Sequence, residues 1–286
     1  MKIAKAFGVL LISLYSVSFS VLSVAAIEDH RSATWNMQGS SASSESKWRV
    51  NVRQLMTGLD VLAIQEAGSP PESAQPTSRV IPSPAGTSIP IHELTWNIGT
   101  STRPEIYYIY FVEWDLGAGR VNPAIVTRTR ADHIVAIPNP ISSTGDPNRP
   151  VIGVGFNRLN NVGADYYFTL HAFATGGGDA ALFIDAIYQY FSGDPDSQWL
   201  VMGDYNQSPT VLDGRLRNRL SASAYQNVSI ITQNSPTQAS GNTLDYAVVG
   251  QYGSTASGIA LVAAMFVARL AGQLVSDHTP VKFYKK

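Results

Sequence analysis

The stretch "WLVMGDYNQSP", residues 199–209, is an apolar run that stops at an aspartate, an asparagine and then a proline. Residues 199–202 read as a buried strand, and Asp204 and Asn206 fall just beyond its end. The same arrangement recurs in four other places. "TWNMQGSS" leaves Asn36 at a strand end, "VLAIQEAGS" leaves Glu66, "TLHAFATGG" leaves His171, and "SDHTP" sets Asp277 and His278 before a strand-like tail. A sixth stretch, "GNTLDYAVV", puts Asp245 inside an apolar strand, where a carboxylate needs a partner and a histidine is the natural one. Singly, each residue has an ordinary explanation. Asn36 fits an Asx turn, Glu66 a turn cap, and Asp204 with Asn206 the polar edge of a loop before Pro209.

Short apolar runs with turn residues between them predict strands over 33–37, 61–65, 106–112, 124–127, 151–156, 166–172, 199–202, 244–249 and 281–284. Two segments fit helices better. Residues 44–56 carry Trp48, Val52 and Leu55 at three- and four-residue spacing, with Ser44 as a cap, and 179–191 has a broad apolar face. The Pro-, Ser- and Gly-rich segments 68–90 and 138–150 read as surface excursions within one domain, since strand signals continue on both sides. Residues 258–267 are uncharged but too short to span a membrane, and read as a buried element. Many strands with few helices predict a layered α/β domain.

Met1, Lys2 and Lys5 precede a mostly apolar run over 7–24, followed by Ala25, Ala26 and Ile27. That order predicts a secretory signal peptide over 1–26, cleaved after Ala26, and a single domain over 27–286. A retained anchor is the rival reading, and the five serines in the run weigh against it. The chain has no cysteine, which excludes a disulfide framework, thiol catalysis and cysteine-ligated metal. Without Lys2 and Lys5, 18 basic side chains face 21 acidic ones, so bulk charge does not attract nucleic acid. Fourteen of the basic residues are arginines, whose planar fork suits phosphate, so a local arginine-lined groove is compatible with that balance.

Together "TWNMQGSS", "IQEAGS", "TWNIGT", "GAGRVNPAIVTR", "HAFATGG", "GDYNQSP", "LDYAV" and "SDHTPV" resemble the endonuclease/exonuclease/phosphatase superfamily of deoxyribonuclease I. Within it, the chain is similar to the active subunits of cytolethal distending toxins over nearly its whole mature length. The resemblance implies an α/β four-layer sandwich, two packed mixed β-sheets flanked by helices, with the active site at one end of the sheets. It also implies metal-dependent hydrolysis of DNA phosphodiester bonds, in a secreted genotoxin acting in the nucleus of a target cell.

Such hydrolysis needs an activated water, charge neutralisation on the phosphate and protonation of the leaving oxygen. Mg2+, with Ca2+ or Mn2+ as alternatives, suits Glu66, Asn36 and Asp277 as ligands. On this resemblance His278 is expected to contact the phosphate or handle a proton, oriented by Asp245, and His171 is the second acid/base candidate. The resemblance implies that Asp204 and Asn206 orient the water and a phosphate oxygen, and that Arg103, Arg120 and Asn122 grip flanking phosphates. Which histidine is acid and which is base stays open, as does the number of metal ions. Gln207 stands where toxin relatives commonly carry arginine, and Pro123 replaces a usual leucine. His30, His92 and His133 match no motif and read as surface or turn residues. Delivery subunits are expected as partners, held without a covalent link because cysteine is absent. The alternatives are a phosphatidylinositol-trisphosphate phosphatase using the same site, a secreted nuclease that is not a toxin, and a catalytically dead binding subunit.

Overall fold

In the computed structural model, residues 26–39, 44–83, 89–115, 120–141, 149–159, 162–266 and 276–286 are described. The predicted signal segment, apart from Ala26, lies outside them. Among the described residues, the strands form two mixed sheets. The eight-stranded sheet runs β13 (Leu261–Met265), β14 (Val281–Lys285), β1 (Ser32–Asn36), β2 (Val61–Gln65), β6 (Ala124–Thr127), β5 (Ile106–Val112), β4 (Ile91–Asn97), β3 (Gln75–Pro76). The six-stranded sheet runs β11 (Val228–Ile231), β12 (Asp245–Gln251), β10 (Gln198–Asp204), β9 (Ala164–His171), β8 (Val151–Asn157), β7 (His133–Ile137). Each has one parallel pair, β1 with β2 and β9 with β10.

The period of two along each strand sorts side chains into layers. Val61 and Ala63 of β2, Leu200 and Met202 of β10, and Ala247 and Val249 of β12 fill the core between the sheets. Leu62 and Ile64 face outward, under Trp48, Val52, Leu55 and Met56 of a helical segment. That segment is α1 (Ser44–Lys47), a π-helical turn over Trp48–Val52, and α2 (Arg53–Met56). On the other side Tyr166, Phe168, Trp199 and Val201 pack beneath α3 (Ala180–Tyr190) and α4 (Pro209–Arg219), with α5 (Ala222–Gln226) beside them. The result is the four-layer sandwich expected from sequence. No described helix is long and apolar enough to cross a membrane.

The predicted strands and both predicted helices form, and among the described residues five further strands and two helices were not legible as such. β4 and β7 have partly exposed faces and broken alternation, while β11 is short and only half-buried throughout. In α4 only Leu212 and Leu216 are buried, so apolar periodicity is nearly absent, although Ser208 caps it and Pro209 opens it. Residues 261–265 form an edge strand and not a fully buried element. Within the 68–90 excursion, Gln75–Pro76 adds a two-residue edge strand.

A polar chain crosses the interface between the sheets. Thr34 Oγ1 donates to Gln65 Oε1 (3.2 Å), and Gln65 Nε2 donates to Thr169 Oγ1 of the facing sheet (2.9 Å). Thr169 Oγ1 in turn donates to the Ile64 carbonyl at 3.2 Å. All three side chains are buried, so removing one leaves its partners without water to replace it. Gln65→Leu is therefore expected to destabilise the fold by about 1–3 kcal/mol, read as a lower urea midpoint at unchanged slope.

Candidate active site

Strand register collects the acidic and imidazole groups at one end of the sandwich. In the six-stranded sheet Asp204, the last residue of β10, stands opposite His171 on β9 and opposite Asp245 on β12. Gly203 permits that approach, because a Cβ there would run into the Leu170 carbonyl of β9. In the facing sheet β1 ends at Asn36, paired with Gln65, and Glu66 follows at once. The four strand ends point into the mouth of the inter-sheet core. Asp245 opens β12 instead of lying inside it, and is fully buried nonetheless.

Asn36 ties the halves together. Its Nδ2 donates to Asp204 Oδ2 at 2.9 Å and to Glu66 Oε1 at 3.3 Å, while its Oδ1 accepts from the Gln38 N–H at 3.1 Å. The amide thus meets both carboxylates as a donor and its oxygen is engaged by the Gln38 N–H, so of the two expected ligands Glu66 presents the less engaged oxygen. Glu66 Oε2 is buried and has no hydrogen-bond partner, with Arg120 Nε 3.8 Å away. Burial, the largest influence, raises the Glu66 carboxyl above its ordinary value despite the Asn36 bond. A desolvated carboxylate with one free oxygen fits a hard divalent cation.

The two histidines are held in opposite states. Burial works against charge on His278, but Asp245 at 2.8 Å from Nδ1, with Asp204 and Asp277 nearby, pushes its pKa up to about 9. His171 is shifted well below 6.5 by burial first, then by Arg149 and His278. Arg149 NH1 lies 2.8 Å from His171 Nδ1. A guanidinium can only donate, so Nδ1 is the acceptor and the neutral ring carries its proton on Nε2. That N–H faces Glu66 Oε1 at 3.8 Å and Asp204 Oδ2 at 3.9 Å. Asp204 Oδ2 is also 3.7 Å from His278 Nε2, and burial, followed by the Asp245 charge, lifts the Asp204 carboxyl to about 6. Asp204, Asp245 and His278 form a buried group that could bind a metal.

Asn206 completes the rim, donating to the Ala172 carbonyl (2.9 Å) and, through its backbone, to Asp204 Oδ1 (2.9 Å). Gln38, Glu66 and Asn206 all have positive φ, near 50°, and all lie at this end of the sheets. Left-handed backbone at non-glycine residues is strain that the surrounding contacts must hold.

Three expectations change. Asn122 is buried, its Oδ1 accepting from Trp114 N and Asp115 N and its Nδ2 donating to the Gly68 carbonyl, so it braces a loop and has no free face for phosphate. Arg103 sits in the β4–β5 turn. The pairing of Ile64 with Ala124, Ala124 with Phe111 and Asn97 with Ile106 puts that turn at the opposite end of the sheet, about 20 Å from the site. Asp277 is half-exposed, and its Oδ1 lies 3.5 Å from His278 Nε2, on the histidine side of the mouth. A bend over 276–277, in place of extended backbone, lets the two neighbouring side chains approach each other.

Two contributors were not found from sequence. Arg149 lay in the 138–150 segment read as a surface excursion, and its place just before β8 was the available signal. Lys47 looked like one polar residue on an amphipathic helix, yet it is buried with Nζ bound to the Met37 and Gln38 carbonyls.

The chain is similar to known proteins in sequence and in fold. The Endonuclease/Exonuclease/phosphatase family matches residues 33–278. The chain is 41% identical to a Salmonella typhi homolog of the cytolethal distending toxin B subunit over 281 residues, 96% of each chain. It is 40% identical to the Escherichia coli cytolethal distending toxin B subunit, over 93% of this chain and 95% of that one. The crystal structure of the Haemophilus ducreyi cytolethal distending toxin superposes with a TM-score of 0.81 at 41% identity, covering 91% of this chain and all of that one. On these grounds the chain belongs to the endonuclease/exonuclease/phosphatase family and, within it, to the group of cytolethal distending toxin B subunits.

Proposed function

We propose that this protein is the catalytic subunit of a secreted genotoxin, a divalent-metal-dependent endonuclease that hydrolyses DNA phosphodiester bonds. The observation that carries the proposal is the pairing, within one buried cluster, of an unpartnered Glu66 oxygen with two histidines held in opposite protonation states. Relatives named as toxin subunits support the setting. Delivery falls to separate subunits, and with no cysteine in the chain their contact is non-covalent.

Glu66 would hold the cation, with half-exposed Asp277 as a further oxygen donor at the rim. When bound, Mg2+ supplies charge neutralisation on the phosphate and stabilises the departing oxygen. The remaining steps belong to side chains. Protonated His278, steadied by Asp245 through Nδ1, presents Nε2–H to the phosphate and donates a proton. Neutral His171 presents Nε2–H as a hydrogen-bond donor to a phosphate oxygen, because Arg149 occupies Nδ1. That leaves Asp204 to accept the proton of the attacking water, a role for which the sequence offered the two histidines. Its elevated pKa, near 6, makes it a better base than an ordinary carboxylate. Arg120, exposed beside Glu66, meets a flanking phosphate. Phosphate contacts carry no base information, so cutting is largely sequence-independent.

Purified protein should nick supercoiled plasmid with Mg2+ and stop on chelation. His278→Ala and His171→Gln should each lower turnover on the order of 10²–10⁴-fold. Nicking that survives chelation or both substitutions refutes the mechanism. Phosphate release from phosphatidylinositol trisphosphate, measured at the same enzyme concentration, separates the nuclease from the phosphatase reading.

The pH profile is a second test. His278 is cationic below its raised pKa and loses its proton above it, so turnover should fall through an alkaline limb near pH 9. Asp245→Asn removes the charge that raises it and should bring that limb down toward 6.5. A limb unmoved by this substitution assigns the titration elsewhere.

A further inference from the structure

Lys47 is 5% exposed, and its ammonium faces carbonyls instead of a paired carboxylate: Nζ donates to Met37 O at 2.7 Å and to Gln38 O at 2.8 Å. Burying a charge in that way is costly, and a surface helix gains nothing from it. Its two acceptors lie in the turn that leaves β1 after Asn36. There Gln38 adopts a φ of 46°, its N–H donates to Asn36 Oδ1, and its Oε1 accepts the Asp277 N–H at 3.0 Å. One residue on, Gly39 N donates to the Glu66 carbonyl at 2.7 Å, in a gap where a Cβ would lie 2.6 Å from that oxygen.

The next helical residue grips the other turn. Trp48 is fully buried, and its Nε1 donates to the Ala67 carbonyl at 3.1 Å, just past Glu66. Trp48 also begins the π-helical turn, and interruptions of that kind in a helix are frequent at functional sites. Lys47 and Trp48 together hold the two turns that carry Asn36 and Glu66.

We propose that Lys47 is a positioning residue: its ammonium clamps the Met37–Gln38 carbonyls, keeps Gln38 in its left-handed conformation, and so aims Asn36 and fixes the Asp277 backbone. This rests on the reading of Glu66 as the residue that holds the cation, with Asn36 bonded to it and Asp277 at the rim. A purely electrostatic role makes the opposite prediction for cation binding. Removing a positive charge near Glu66 would tighten Mn2+ binding, whereas releasing the clamp would loosen it.

Lys47→Met keeps the length and the buried stem while removing both bonds. Amide exchange over 36–39 and 276–279 should accelerate at least ~10-fold, while β9 and β10 exchange as in the wild type. Turnover should fall roughly 10-fold at little-changed KM, and Mn2+ should bind more weakly by titration. Unchanged exchange in both segments, or tighter Mn2+ binding, overturns the proposal. Should Lys47→Met fail to fold, Gln38→Ala leaves the ammonium in place and removes only the Oε1 link. It should speed exchange over 276–279 alone, and unaltered exchange there overturns the proposal as well. Exchange is read without metal or substrate, so a wild type that does not nick DNA would refute the nuclease reading and leave the clamp to be judged by exchange.

Discussion

The Thr34–Gln65–Thr169 chain is the constraint on which the site depends, because apolar packing alone does not fix how far one sheet slides along the other. Hydrophobic burial is nearly non-directional, whereas hydrogen bonds of 2.9–3.2 Å between buried side chains tolerate little displacement. Thr34 lies two residues before Asn36, Gln65 one before Glu66, and Thr169 two before His171. Locking those three positions therefore fixes Asn36 and Glu66, at the end of the eight-stranded sheet, against His171 and Asp204, at the end of the six-stranded sheet. A slide of one residue would carry Glu66 about 3.3 Å along its strand direction, enough to end its approach to His171.

Within that frame the electrostatics are divided by neighbours and not by residue type. His278 is buried and His171 is largely shielded from solvent, which by itself disfavours their charge. One has a carboxylate on Nδ1 and stays protonated; the other has a guanidinium there and stays neutral. Asp204 lies between their Nε2 atoms and is raised by burial and by Asp245. The backbone shows the same concentration of constraint, with Gln38, Glu66 and Asn206 in left-handed conformations around one mouth. Helix, turn and strand contacts on each side hold that strain in place.

Much of the sandwich was readable because its central strands are buried on both faces and show as unbroken apolar runs. β1, β2, β9 and β10 are of this kind, and they carry Asn36, Glu66, His171 and Asp204 at or just beyond their ends. Elements with one exposed face were harder to see. β4 mixes buried and exposed positions, β11 is half-buried throughout, and α4 has only two buried leucines on a polar surface. Arg103 and Asn122 show the limit for site residues. Both sit in segments resembling the family, yet a strand register spanning four strands puts one at the wrong end, and loop carbonyls and amides engage the other.

The sequence by itself determined which residue types gather at strand ends, a layered α/β domain, and the partnership of Asp245 with a histidine, since each follows from local periodicity or from the cost of burying an unpaired charge; the four-layer sandwich came from the family resemblance. It could not decide which histidine keeps its proton, because that depends on Arg149 and Asp245, 22 and 33 residues away from their respective imidazoles. Nor could it separate the two side chains of "SDHTP": a bend over 276–277 brings Asp277 Oδ1 to 3.5 Å from His278 Nε2. Protonation state and amide orientation are set by what lies within a few ångströms in space, and here those neighbours come from the opposite sheet, a preceding loop and a buried helix lysine.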